Sequence, residues 1–183
     1  MSRVTLQTID SAPDSSRPYL ENARRISGFI PNLLAALATS PAAIKTYVTV
    51  SEINNNSSLS AAEREVVQLI AATTHGCSFC VAGHSATVEK KHILPANELE
   101  NLRTHQPLAD EKLNTLAYFT QQVIATRGAV SDEVYQQFLA AGFNEQQALD
   151  AILGVSLATL CNFANSFAKT PLNNELQPWA WSE

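Results

Sequence analysis

The stretch His75-Gly76-Cys77-Ser78-Phe79-Cys80-Val81-Ala82-Gly83-His84 brings two thiols and two imidazoles into ten residues. At about 100° per residue, Cys77, Cys80 and His84 fall within about 60° of one another on a helical wheel, so a helix here presents both thiols and one imidazole on one face. The i, i+3 spacing of the thiols permits a disulfide after modest local adjustment. The i, i+4 spacing from Cys80 to His84 stacks the imidazole one turn away. This is a redox geometry if the thiols lie near a helix N-terminus, where unpaired N–H groups and the helix dipole favour a thiolate. Gly76, just upstream, suits such a start.

Other chemistry for the same residues can be weighed. Haem attachment needs His directly after the second Cys, and Val81 stands there. Structural zinc needs four ligands, whereas CxxCxxxH supplies three; His75 completes a set on paper, but a second ligand pair is absent. No metal or cofactor is therefore expected. The blander reading makes both Cys ordinary buried small hydrophobes. Glu65, twelve residues before Cys77, sits at the edge of an apolar arc formed by Ala61, Ala62, Leu69 and Ala72, bordered by Gln68. Partial burial there would fit its carboxylate for proton transfer to an imidazole; the alternative is a solvated or ion-paired surface Glu. Cys161, in an apolar stretch, reads as a packed core thiol, and His92 and His105 as exposed. Asn162 and Asn165 are polar within that apolar stretch; they are expected either to lie exposed at the helix edge or to bond backbone near the site or across a subunit interface.

The elements that must carry these residues are helical. The chain has 183 residues, 45% hydrophobic and 16% charged, with 26 Ala but only six Gly and eight Pro. No Pro lies between Ala42 and Leu94 or between Leu108 and Thr170, which suits long uninterrupted helices. Ser60, Ala61, Ala62 and Glu63 spell a capping box that predicts a helix from Ser60 to about Thr74. A second helix is expected from Cys77 to about Lys91. Further helices are expected over Tyr19–Ile26, from Pro31, from Pro41 through Ile53, from Pro95, from Pro107 to Gly128, from Ser131 or Asp132 to near Gly142, and from Asn144 to Ala168. No segment reads as a strand, so an all-α bundle of roughly seven to nine helices follows. It divides into an extended arm (1–17), a helical domain (18–170) and a tail (171–183) whose Trp179 and Trp181 must dock on this chain or a partner.

Composition also bounds the setting. A net charge of −5 leaves no basic footprint for nucleic acid or anionic lipid. Three Cys are too few for a secreted disulfide framework. With no apolar leader at the N-terminus and no run of about 18 apolar residues, a soluble cytoplasmic protein is expected. The helix from Asn144 is apolar around most of its circumference, which points to a core shared with further copies of the chain, a homo-oligomer.

The segments Gly28-Phe29-Ile30-Pro31-Asn32-Leu33-Leu34 and Leu59-Ser60, with Glu65, Cys77, Cys80 and His84, resemble the alkylhydroperoxidase D (AhpD)-like branch of the carboxymuconolactone decarboxylase superfamily. The pattern is Glu, eleven residues, CxxC, three residues, His, and the similarity runs from about Gly28 to Asn165. The resemblance implies an all-helical AhpD-like bundle, homo-oligomers such as a dimer, trimer or hexamer, and peroxidase activity: thiol-dependent reduction of a hydroperoxide at the expense of a dithiol or protein-thiol reductant. It further implies Cys80 as the attacking thiol, Cys77 as the resolving thiol, and His84 with Glu65 as a proton relay. One departure is Phe79, which stands where the best-known members place a second histidine and makes the site more apolar. Two other functions use the same residues: a thiol-disulfide oxidoreductase, and a non-enzymatic helical oligomer that senses redox state.

Overall fold

A computed structural model describes residues 2–182; Met1 of the expected arm and Glu183 of the expected tail lie outside the described residues. Nine α-helices follow in order: α1 (Arg17–Ser27), α2 (Asn32–Leu37), α3 (Pro41–Asn55), α4 (Ala61–Thr74), α5 (Ser78–Lys90), α6 (Ala96–Arg103), α7 (Glu111–Thr126), α8 (Asp132–Ala140) and α9 (Glu145–Ala168). A short 3-10 helix covers Asn174–Trp179, and there is no strand among the described residues. The fold is all-α, as the Pro and Ala distribution requires.

Side-chain caps start most of these helices where the sequence places them. Ser40, Ser60, Asp110, Ser131 and Asn144 each accept the N–H three residues on, which satisfies a donor that the helix leaves orphaned. At Ser60 the capping box is complete, and Lys112 from α7 reaches Glu63 at 2.9 Å. One start differs from expectation. The helix expected from Pro107 begins at Glu111, because Asp110 captures the Leu113 N–H while the Leu108 N–H donates to Asn114 Oδ1 and the Ala109 N–H to Glu98. Those bonds hold residues 107–109 in a loop.

The centre of the bundle is α4, which packs against α5, α6, α7 and α9. Its Val66, Val67, Leu69, Ile70, Ala71 and Ala72 are all buried, so Glu65 is carried on a helix fixed from several sides. The closest approach is to α9 at Gly154. A Cβ built there would meet Val67 Cγ1 at 2.9 Å, and Gln68 Nε2 donates to the Gly154 carbonyl at 2.9 Å. Long and apolar enough to cross a membrane by length and composition alone, α9 instead packs on α2, α3, α4, α5 and α7 as the core helix. Its outer face still shows Leu149, Ile152, Phe163 and Phe167 to solvent.

Arm and tail both lie on their own chain. The Arg3 N–H bonds the Ala168 carbonyl and the Gln7 N–H that of Ala35, so the arm bridges the end of α9 and α2. In the tail, Trp179 Nε1 donates to Glu89 at 2.9 Å and Trp181 Nε1 to the Arg103 carbonyl at 3.0 Å. The Arg103 guanidinium in turn bonds Ser85 and the carbonyls of Trp179 and Ala180, which ties the back of α5 to α6 and the tail.

The contact at Gly154 gives a direct test of this packing. Gly154→Val gains helix propensity but drives two β-branched side chains together at the α4–α9 crossing, where overpacking costs about 2 kcal/mol. A lowered denaturant midpoint with an unchanged m-value is expected; a midpoint at or above that of the parent would show that the crossing is loose.

Candidate active site

A two-residue turn sets the site. His75 caps α4, Gly76 takes the left-handed conformation at φ +64°, and the Cys77 N–H bonds back to the Ala72 carbonyl at 2.9 Å. Only glycine adopts that conformation freely, so Gly76 lets α5 start at once and fold back along α4. Cys77 is the N-cap of α5, with its carbonyl taking the Val81 N–H. The expected helix start beside Gly76 is present, and Cys80 follows inside the first turn.

All three cysteines are free and buried. Cys77 is held by donors: the Cys80 thiol and backbone N–H, Asn165 and Asn162 together outweigh its burial and bring it down to about 7. Cys80 moves the other way, well above the ordinary thiol range, because it gives its proton to Cys77 and is itself buried. The two shifts have one main cause, the hydrogen bond between the thiols, which favours a thiolate at one sulfur and a thiol at the other. Their directions favour Cys77 as the more acidic of the two, whereas the resemblance implies Cys80 as the attacking thiol. The Cys80 backbone N–H, in the first turn of α5, adds to the lowering at Cys77.

Glu65 and His84 meet across α4 and α5. His84 Nδ1 lies 2.8 Å from Glu65 Oε2, with the carboxylate side chain 14% and the imidazole 31% exposed. Burial pulls the imidazole down, but the charge and hydrogen bond of Glu65 and the field of the Cys77 thiolate raise it above its ordinary value. The exposed edge of His84 is the wet side of an otherwise closed site. Cys77, Cys80, His84 and Glu65, the four residues picked out by sequence, thus stand together on two adjacent helices.

The core helix α9 supplies a third wall. Asn165 Nδ2 lies 3.3 Å from Cys80 Sγ and 3.9 Å from Cys77 Sγ, and Asn162 Oδ1 lies 3.0 Å from His75 Nδ1. Both asparagines were marked by their polarity in an apolar stretch, but their partners are sulfur and imidazole rather than the backbone or a second subunit. His75 thereby serves the wall of the site. Cys161 is raised to about 12, by burial and by the charge of Cys77, so it stays a thiol. Tyr47 on α3 is raised as well, by burial and then by the charges of Cys161 and Cys80. Nothing in the spacing of the α3 residues pointed to Tyr47. Two surface clefts, one lined by Asp110, Lys112 and Gln137 and one by Leu102, His105 and Tyr118, include none of these residues.

Residues 41–109 match the model of the carboxymuconolactone decarboxylase family. The match takes in Glu65, Cys77, Cys80 and His84 but none of α9. No curated protein matches the sequence. Among solved structures, the alkylhydroperoxidase AhpD core of an uncharacterized peroxidase-related protein from Ralstonia eutropha JMP134 is similar at a TM-score of 0.85 and 18% identity, covering 96% of this chain and 94% of that one. An uncharacterized peroxidase-related protein from Silicibacter sp. TM1040 gives 0.79 and 20% identity, over 95% and 94%. The debrominase Bmp8, solved in complex with 2,3,4-tribromopyrrole, gives 0.77 and 13% identity, over 96% and 93%. At these identities the likeness is one of fold.

The electrostatics of the pair predict its titration. The folded thiol of Cys77 ionises near pH 7 against an ordinary value of 9.0, so its thiolate forms as pH rises through neutrality. Alkylation of Cys77 by iodoacetamide, followed by peptide mass spectrometry, should reach half its maximal rate near pH 7, with Cys80 labelled far more slowly. Equal labelling of both thiols with a midpoint near pH 9 would refute this account.

Proposed function

With the carboxymuconolactone decarboxylase family pattern over residues 41–109 and an AhpD-like fold over the whole chain as premises, we propose that this protein is a thiol-dependent peroxidase. It reduces a hydroperoxide through a Cys77–Cys80 dithiol/disulfide cycle. The observation that carries the reading is the 2.8 Å Glu65–His84 pair on the same two helices that hold the buried Cys77–Cys80 dithiol. A thiol nucleophile and an oriented imidazole able to give and take its protons are then held in one site.

The cycle balances as follows. The Cys77 thiolate attacks the distal oxygen of ROOH, the O–O bond breaks, and the departing alkoxide takes a proton from the His84 imidazolium to leave as ROH. Cys77 becomes a sulfenic acid. Cys80 loses its proton to the neutral His84 and attacks the Cys77 sulfur; hydroxide departs and takes that proton, leaving as water and closing the disulfide. A dithiol or protein-thiol reductant then returns two electrons and two protons by exchange, and the proton given up by Cys77 recharges His84. Glu65 orients the imidazole and stabilises its charged form throughout. A reducing compartment such as the cytoplasm would supply the reductant.

One equivalent of an alkyl hydroperoxide tests the cycle. Mass spectrometry should find a Cys77–Cys80 disulfide in the parent protein and a trapped sulfenic acid at Cys77 in Cys80→Ser. A sulfenic acid formed only at Cys80, in Cys77→Ser, would restore the order that the family resemblance implies. No oxidation of the parent protein would leave a thiol-disulfide oxidoreductase or a redox sensor as the function.

We further propose that the chain forms a homo-oligomer through the outer face of α9. Leu149, Ile152, Phe163 and Phe167 fall within about 60° on that helix, and three of the four are more than half exposed. Sedimentation should show an oligomer for the parent and smaller species for Leu149→Glu with Phe163→Glu. A parent that sediments as a monomer would remove the proposal.

A further inference from the structure

Asn165 has an unmet acceptor at the reacting centre. The residue is 4% exposed, on the buried side of α9. Its Nδ2 donates to Cys80 Sγ at 3.3 Å and leans towards Cys77 Sγ at 3.9 Å. Its Oδ1 is buried and has no hydrogen-bond partner among the described residues. Buried amide oxygens are nearly always paired, so an orphaned one calls for an explanation. Both atoms belong to one amide, so a donor held by Oδ1 shares that group with the two sulfurs that face Nδ2. The site thus asks for a molecule that brings an O–H to the dithiol.

A hydroperoxide meets that demand with the atom that reacts. The hydrogen of ROOH sits on the distal oxygen, the one that a thiolate attacks. We propose that Asn165 Oδ1 accepts this O–H and holds the distal oxygen against the dithiol, a substrate-binding role that rests on the peroxidase reading above. The same acceptor serves after the O–O bond breaks, because the transferred O–H then belongs to the sulfenic acid. One amide therefore supports the sulfur through its N–H and the transferred oxygen through its carbonyl. Phe79 is apolar and offers no acceptor that could compete, and His84 Nδ1 is taken up by Glu65. Selectivity follows, since disulfides and dialkyl peroxides have no O–H to give.

The test separates this role from simple support of the thiolate. Asn165→Ala, and Asn165→Leu as a variant with the same number and branching of side-chain heavy atoms, are compared with the parent at a pH high enough to ionise Cys77 fully in all three. Stopped-flow oxidation by tert-butyl hydroperoxide is measured beside alkylation by iodoacetamide, which needs a thiolate but offers no hydroperoxide O–H. Loss of one hydrogen bond to the reacting oxygen should slow oxidation about tenfold or more while alkylation stays within about twofold. If the two rates fall together, Asn165 only tunes the sulfur and the inference is overturned. If the parent is alkylated normally yet never oxidised by the hydroperoxide, the peroxidase reading fails first and the role of Asn165 falls with it.

Discussion

A negative charge on sulfur has to be kept inside a hydrophobic bundle, and the arrangement of the helices answers to that constraint. Burial alone would push a thiol up and silence it, as it does at Cys161. Cys77 escapes because the Cys80 S–H, and after it the Cys80 N–H, Asn165 and Asn162, supply hydrogen to its sulfur. His84 stands in the same site with its imidazole shifted up by Glu65. The site is a chain of compensations in which, the Asn165 Oδ1 apart, the buried polar groups partner one another, and removal of one member leaves the next exposed to its full desolvation cost.

Three helices must hold register for this to work. The Gly76 turn fixes α5 against α4, the Gly154 crossing fixes α9 against α4, and Arg103 with the tail fixes the far side of α5. The first two rely on the absence of a Cβ, at a positive φ in one case and at a near-backbone contact in the other. Small residues here are a geometric requirement rather than a matter of helix propensity. The complete capping box at Ser60 starts α4 in the phase that turns Glu65 toward α5.

Local signals in the sequence resolved much of this. The capping box, the CxxC spacing and the i, i+4 placement of His84 depend only on neighbours along the chain, so the α4–α5 hairpin with Cys77, Cys80 and His84 could be read from spacing, while Glu65 needed the family resemblance to stand out from a surface carboxylate. The start of α7 was misplaced because Pro107 is a permissive signal, whereas Asp110 and Asn114 make the bonds that decide the boundary. The electrostatics of the two thiols were hidden for a similar reason. Spacing shows that His84 lies one turn beyond Cys80, but the shifts at the sulfurs come from the hydrogen bond between the thiols, the Cys80 N–H and Asn165 from a helix 85 residues away. Tyr47 and the sulfur contacts of Asn162 and Asn165 depend on how α3 and α9 close over the hairpin, which no local pattern encodes.

The same compensation bears on re-reduction. Donors that stabilise the Cys77 thiolate stabilise the reduced dithiol but do little for the disulfide, in which that charge is gone. In the proposed cycle such a site favours its own reduced form, which an external dithiol would reset. The same electrostatics let a third cysteine sit close enough to feel the charge of Cys77 without joining that proposed cycle. Cys161, on a helix wall with no helix start behind it, is held as a thiol up to about 12 and has too little thiolate at neutral pH to compete with Cys80 for an oxidised Cys77. Position at a helix start, and not the mere presence of sulfur, separates the reactive pair from the structural thiol.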